Sequence, residues 1–484
     1  MNKRTGHDMQ IGLPESKREQ DAIVLGGSLA GLLAARVLCD HFERVTIVER
    51  DFFPTSPEPR RGTPQANHVH ALMPQGRLIL EQLFPELHQQ MMADGAPLID
   101  MASDIAWLTP QGWGVNFPSD LEVLAFTRPL LDLHVRRRLV DNPQIRIMQG
   151  AEIVRLIDDR NQSIAGVVVR TSAPDGDTVE TKLYADFVVD ATGRASRAPR
   201  WLTQLGYPAP AETTVNAFLG YASRLYKIPE GFNANWKCAF VQAAPPERKR
   251  GGILFAVEGN RWLVTLVGGG HDYPPTDEAP FLEFARSLVV PVIYDAIKNA
   301  TPLSPIKTHR GTENRLRHFD KLDRQPRNFV ALGDAVCAFN PVYGQGMTIA
   351  AMGAMTLDSC LRKWKAEDEV FARRFQKRLA KVVSAPWMLA TSEDYRYRET
   401  VGGSASRITR FMHRYMDQVL KVSTFDPIVR HVLLQAFGML VPPSALFQPK
   451  VSLRLIRETL ATGMRAKRGA HPISGQRMIY DTAG

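Results

Sequence analysis

Cysteine is scarce in this sequence: Cys39, Cys238, Cys337 and Cys360 are the four among 484 residues. They form no C-x-x-C pair and have no histidine at metal-ligand spacing, which argues against a cysteine-built metal site. Buried, reduced thiols in a cytoplasmic protein without a bound metal are the expectation. Long apolar runs are missing as well. No stretch reaches the roughly 18 consecutive apolar residues of a spanning helix, so no transmembrane segment is expected. Nor do charges gather in blocks. The formal net charge is +10, but Lys and Arg are interspersed with Asp and Glu, so no nucleic-acid partner is expected and anionic small molecules account for the basic bias. The opening "MNKRTGHDMQIGLPESKREQ" is polar and lacks an apolar centre; it reads as a disordered lead-in over 1–20 and not as a signal peptide. There is also no Ser/His/Asp constellation and no carboxylate pair to nominate as catalytic, so catalytic side chains stay unassigned.

What is present begins with "DAIVLGGSLAGLLAARVLCDHFERVTIVE". An apolar strand, a glycine turn, a helix with Leu29, Leu33, Val37 and Leu38 on one face, and a second β-branched strand follow one another within about 30 residues, the context that lifts a glycine motif above chance. Gly26 permits the sharp turn and Gly31 the close packing of helix on strand, while Ser28 replaces the middle glycine of G-x-G-x-x-G. The helix N-terminus offers free N–H groups to a pyrophosphate, and the Ser28 hydroxyl can donate to a phosphate or cap the helix. Glu49, ending the second strand, is placed to accept from ribose hydroxyls, with Arg50 beside it. This much fits NAD and FAD equally.

Two further stretches separate them. "RNFVALGDAVCAFNPVYGQGMTIAAM" runs a strand into Gly333 and Asp334, then a loop with Pro341, Gly344 and Gly346 that opens a second helix. It resembles the G-D motif of flavoprotein monooxygenases with the para-hydroxybenzoate hydroxylase type of fold. The resemblance implies that Asp334 holds the ribityl chain of FAD, and that Pro341, Gly344, Gln345, Gly346 and Met347 line the flavin, with the Met347 and Thr348 amides at its pyrimidine edge. "YADFVVDATGRASRAPRWL" is similar to the middle motif of that superfamily, with Asp190 and Gly193 as cofactor contacts, but reads Asp-Ala-Thr-Gly-Arg, a form also met in flavin halogenases and prenyl reductases. "PRRGTPQANHVHALMPQG" and "FTRPLLDLHVRRRL" look like a narrower group, the flavin epoxidases of polyether, polyketide and terpenoid biosynthesis. By that likeness Arg128 reaches the FAD pyrophosphate or ribose and the loop from Arg61 to Gln65 passes beside the flavin. Pro129 suits a first helical turn. His68 and His70, two apart in this loop with no third ligand, read as hydrogen-bonded structural residues.

The fold expected is α/β: a Rossmann-like FAD-binding domain, discontinuous over 21–98, 121–211 and 305–375, with an inserted, mostly antiparallel substrate sheet from 99–120 and 212–304. The second part rests on period-two runs such as "RWLVTLVGG" and on a hairpin at "DIAWLTPQGWGVNF". A helical region spans 376–465, where Phe411, Tyr415, Val419 and Leu420 recur at helical spacing for core packing, and 466–484 reads as a flexible tail. "VLLQAFGMLVPPSALF" is apolar but too short to span a bilayer, and suits a pocket lid or a peripheral membrane contact.

The activity implied is an FAD-dependent monooxygenase that epoxidises or hydroxylates an apolar natural-product alkene through a C4a-hydroperoxyflavin. O2 is the cosubstrate, and electrons come from NAD(P)H or from flavin reduced by a partner reductase. Phe339, Asn340 and Tyr343 are the substrate-pocket candidates by position in the loop. A flavin reductase or saturase of prenyl chains is the alternative, as is a halogenase, although the chain has no W-x-W segment.

Overall fold

The computed structural model describes residues 20–159, 162–172, 177–364 and 368–467. The expected lead-in and nearly all of the expected tail lie outside the described residues.

Strand β1 (Asp21–Leu25), helix α1 (Leu29–Leu38) and strand β2 (Arg44–Val48) form as the pattern predicts. β1 is the middle strand of a five-stranded, all-parallel sheet in the order Phe329–Ala331, Phe187–Asp190, β1, β2, Ile145–Met148. β1, Phe187–Asp190 and Phe329–Ala331 are buried on both faces, so they read as largely apolar runs. In register, Leu25 lies opposite Asp190, and Asp190 opposite Ala331. All three motifs therefore leave the sheet side by side at its carboxyl edge, where ligands bind in open α/β folds.

The second layer is a seven-stranded sheet in the order Lys307–His309, Gly220–Lys227, Arg261–Gly268, Arg250–Val257, Cys238–Val241, Ile105–Thr109, Gly112–Trp113. It is antiparallel except where Cys238–Val241 runs parallel to Ile105–Thr109. The predicted hairpin is its last pair. One face packs under the helices Glu278–Arg286 and Val292–Ile297 through Leu254, Val264, Leu266, Phe281 and Ile293. On the other face the register sets Ser223, Thr265, Ile253, Phe240 and Trp107 in one row, pointing toward the loop that carries His68.

Four long helices follow, Phe371–Asp394, Arg407–Val422, Pro427–Phe437 and Pro449–Lys467. Their expected core stripe holds only in part. Val419 is buried and Tyr415 and Leu420 pack against it, but Phe411 is 61% exposed because the first half of its helix has no neighbour on that side. The helix Pro427–Phe437 lies over the second sheet, with Leu434 in one cluster with Trp107 and Met101. No helix among the described residues is long and apolar enough to cross a membrane.

Candidate active site

The three glycine turns touch. Gly26 is left-handed, φ +97°, and a Cβ there would lie 2.6 Å from the Ala191 carbonyl oxygen. On Gly31 it would lie 1.8 Å from the Gly26 carbonyl oxygen, so the helix sits as close to the turn as the sequence required. A Cβ on Gly333 would meet the Ala30 Cβ at 2.7 Å, and one on Gly193 would come 4.0 Å from the Asp334 Cβ. One groove along the carboxyl edge is the result.

At one end of it Glu49, Arg60 and Asp51 pair with one another. Glu49 is 5% exposed; it accepts from the N–H of Gly27 at 2.8 Å and of Asp51 at 3.0 Å, and pairs with Arg60 at 3.0 Å. Arg60 also reaches Asp51 at 3.1 Å, donates to the Gly27 carbonyl at 3.0 Å and lies over the Phe53 ring. Arg50 and Arg61, the arginines singled out in the sequence, are exposed. Arg60 is the one that closes on Glu49, and only its neighbour in the "PRRG" stretch had been nominated. Ser28 stands at the N-cap of α1 but makes no capping bond; its hydroxyl accepts from Arg128 at 3.1 Å. The buried Arg128, itself held by Asp132 at 2.7 Å, is thus set against the helix N-terminus as expected of an anion-binding residue.

The other end is different. Asp334 is half-buried and its carboxylate accepts no hydrogen bond among the described residues. Burial raises its pKa, opposed by Arg194 and Arg128. Gly344 is left-handed, φ +64°, and turns the chain into the helix Gly346–Leu361. A Cβ on Gly346 would meet nothing within 4 Å, so the space beside the start of this helix is open at Gly346. Gln345 Oε1 and His68 Nε2 are buried without a partner among the described residues. These features fit the flavin and ribityl part of FAD, which needs a hydroxyl acceptor, N–H donors at its pyrimidine edge and a flat space beside a glycine. Ser28, Arg128 and the α1 N-terminus fit its pyrophosphate.

Several nominated residues lie elsewhere. Asp190 is fully buried, and its carboxylate is taken up by Thr192 N–H at 3.0 Å, Thr192 Oγ1 at 2.6 Å and Ser196 Oγ at 2.5 Å. It holds the turn that presents Gly193. Phe339 packs in the main core and Asn340 is 1% exposed, so neither lines a pocket. Asn340 accepts from Tyr221 at 2.5 Å and joins Asp394, to which Tyr343 donates at 2.6 Å and Asn314 at 2.7 Å. Burial lifts Asp394 to about 7. Met347 is buried; Pro341 is exposed. Sequence reasoning missed Asp394, whose stretch "WMLATSEDYRY" gave no hint of a carboxylate under the loop, and Arg194, which follows Gly193 and ties the loop down through the carbonyls of Glu313 and Phe339 at 2.6 and 3.0 Å.

His68 and His70 are the structural residues expected. His68 Nδ1 bonds Ser223 Oγ at 2.7 Å and His70 Nδ1 bonds the His68 carbonyl at 2.9 Å. Burial brings both down to about 3, so both stay neutral at working pH. Among the described residues no group of three His, Cys, Asp or Glu is placed to hold a metal ion.

The architecture is that of FAD-dependent monooxygenases and flavin-dependent halogenases. The flavin-dependent brominase Bmp2 superposes with a TM-score of 0.63 at 13% identity, over 92% of this chain and 99% of that one. CmlS, a flavin-dependent halogenase, gives 0.60 at 16% over 94% and 79%, and PqsL, a probable FAD-dependent monooxygenase from Pseudomonas aeruginosa, 0.56 at 18% over 78% and 98%. The chain belongs to the family of Protein Rv3254 of Mycobacterium tuberculosis, with which it shares 33% identity over 425 residues, 87% of this chain and 89% of the relative. No protein-family model matches it.

Proposed function

We propose that the protein is an FAD-dependent monooxygenase that epoxidises or hydroxylates an apolar natural-product intermediate, the double bond of a polyketide or terpenoid, in the cytoplasm. One observation carries the reading: the Asp334 carboxylate, without a partner among the described residues, and the open space at Gly346 stand together beside a groove whose other end holds its own ion pairs. FAD, once bound and reduced by NAD(P)H or a partner reductase, supplies oxygen activation. The chain's own part is binding, orientation and exclusion of water. Asp334 would hold the ribityl hydroxyls, and the amides of Gly346, Met347 and Thr348 would stabilise negative charge at the pyrimidine edge. Ser28 and Arg128 would hold the pyrophosphate. The half-buried Phe240 and Ile253, on the sheet row facing the His68 loop, give an apolar substrate its surface.

The test is incubation of the flavin-loaded, reduced protein with a polyene terpenoid under isotopically labelled oxygen, with mass spectrometry of the product. Uptake of one labelled oxygen atom supports the proposal. A saturated product without label would establish the reductase reading, and a brominated product on adding bromide the halogenase reading.

A further inference from the structure

The sheet row that begins under the flavin loop ends in an unexplained cation. Arg430, inside the apolar helix Pro427–Phe437, is 0% exposed. Its Nε, Nη1 and Nη2 have no hydrogen-bond partner among the described residues. The guanidinium lies over the Trp107 ring, 5.4 Å from its centroid, and against Gly114, where a Cβ would come within 1.9 Å of Nη1. Gly114 is therefore the residue that makes room for it. Burial lowers Arg430 to about 10, with no acidic neighbour opposing the shift. The carboxylate nearest it in sequence is committed elsewhere: Asp426 caps the helix through the N–H groups of Ile428 and Val429 and pairs with Arg454. A buried guanidinium without an anion is costly, and a side chain kept so calls for a partner that the described residues do not supply.

The position is informative. Trp107, beneath Arg430, is in register with Phe240, Phe240 with Ile253, and Ile253 with Thr265, whose hydroxyl accepts from the Val69 N–H and bonds Ser223, the partner of His68. Three strand spacings separate Thr265 from Trp107, about 14 Å across the sheet. The cation and the loop beside the open helix start thus stand at opposite ends of one row of apolar side chains.

We propose that Arg430 is a specificity-determining residue that receives the carboxylate of an otherwise apolar substrate, so that the substrate class is a long-chain or polycyclic acid bound with its acid end at Arg430 and its reacting carbons toward the flavin loop. This rests on the function proposed above and adds orientation to it. Arg430 touches substrate without taking part in bond making.

The test is calorimetric binding to the protein as purified, with decanoate, whose extended length is comparable to the row, against decanol and decanamide. It needs no turnover, so it stands whether or not oxygen transfer is found. Decanoate is expected to bind about tenfold or more tightly than either neutral probe, in line with a charge-assisted pair in a buried site. Arg430→Gln should remove the ratio and Arg430→Lys keep part of it. A merely structural arginine would change the melting temperature and leave the ratio alone. Equal binding of acid and neutral probes by the unaltered protein, or a ratio that survives in Arg430→Gln, overturns the proposal; the first comparison holds even if the variants fail to fold.

Discussion

The two ends of the groove at the carboxyl edge of the parallel sheet are built by opposite rules. At the Glu49 end, Arg60, Asp51 and the Gly27 amide consume one another's charge. At the Asp334 end, its carboxylate and two buried side-chain atoms, Gln345 Oε1 and His68 Nε2, have no partner among the described residues, and the space at Gly346 is open. Interiors normally satisfy their polar groups, so the difference separates what the fold does for its own stability from what it reserves for a ligand.

The largest effect should come from removing the reserved acceptor. Asp334→Ala is expected to give colourless protein with FAD affinity down at least about tenfold, the scale of a hydrogen bond to a charged group, as read by flavin absorbance per chain; full flavin occupancy would place the ribityl chain elsewhere. The Cβ of Gly346→Val enters open space, with no atom of another segment within 4 Å, so flavin should be lost while the flavin-free melting temperature moves little. A large drop in that temperature would mean the space is not a ligand's. At the paired end, Arg60→Met leaves Glu49 buried without its cation and should cost about 3 kcal/mol in denaturant melts with flavin absent. An unchanged midpoint would show that this end too waits for a ligand.

A pH-dependent effect concerns the support beneath the loop. Asp394 rises from 3.8 to about 7 on folding, facing Tyr343, Asn340, Asn314 and the neighbouring Glu393. The folded state keeps its proton where the unfolded chain has lost it, so stability should be greatest below about pH 4 on this account and fall as the pH rises to about 7. Asp394→Asn should flatten that slope in melts across the window; the same slope in the variant would assign it to another group.

How much of this was legible follows from what each signal depends on. Gly26, Gly31 and Gly344 were readable because a left-handed turn or a close approach constrains the residue locally, and β1 and the strand at Phe329 because burial on both faces writes an apolar run. Loop position alone did not reveal which way a side chain faces. Phe339 and Asn340 sit in the nominated loop yet turn into the core, and of adjacent arginines in "PRRG" the first, not the second, meets Glu49. Arg430 was hidden inside an apolar helix whose periodicity said only that it packs, because its environment comes from Trp107 and Gly114, far away in the chain.

The strand order has one more consequence, in time instead of space. β1 leaves the ribosome early, but its neighbour Phe187–Asp190 arrives much later and Phe329–Ala331, which delivers Asp334, later still. Pairings between segments so distant in sequence close slowly. The nascent chain therefore carries half a groove through most of its synthesis, and retention of the yellow cofactor would report that about two thirds of the polypeptide has been made and threaded into register.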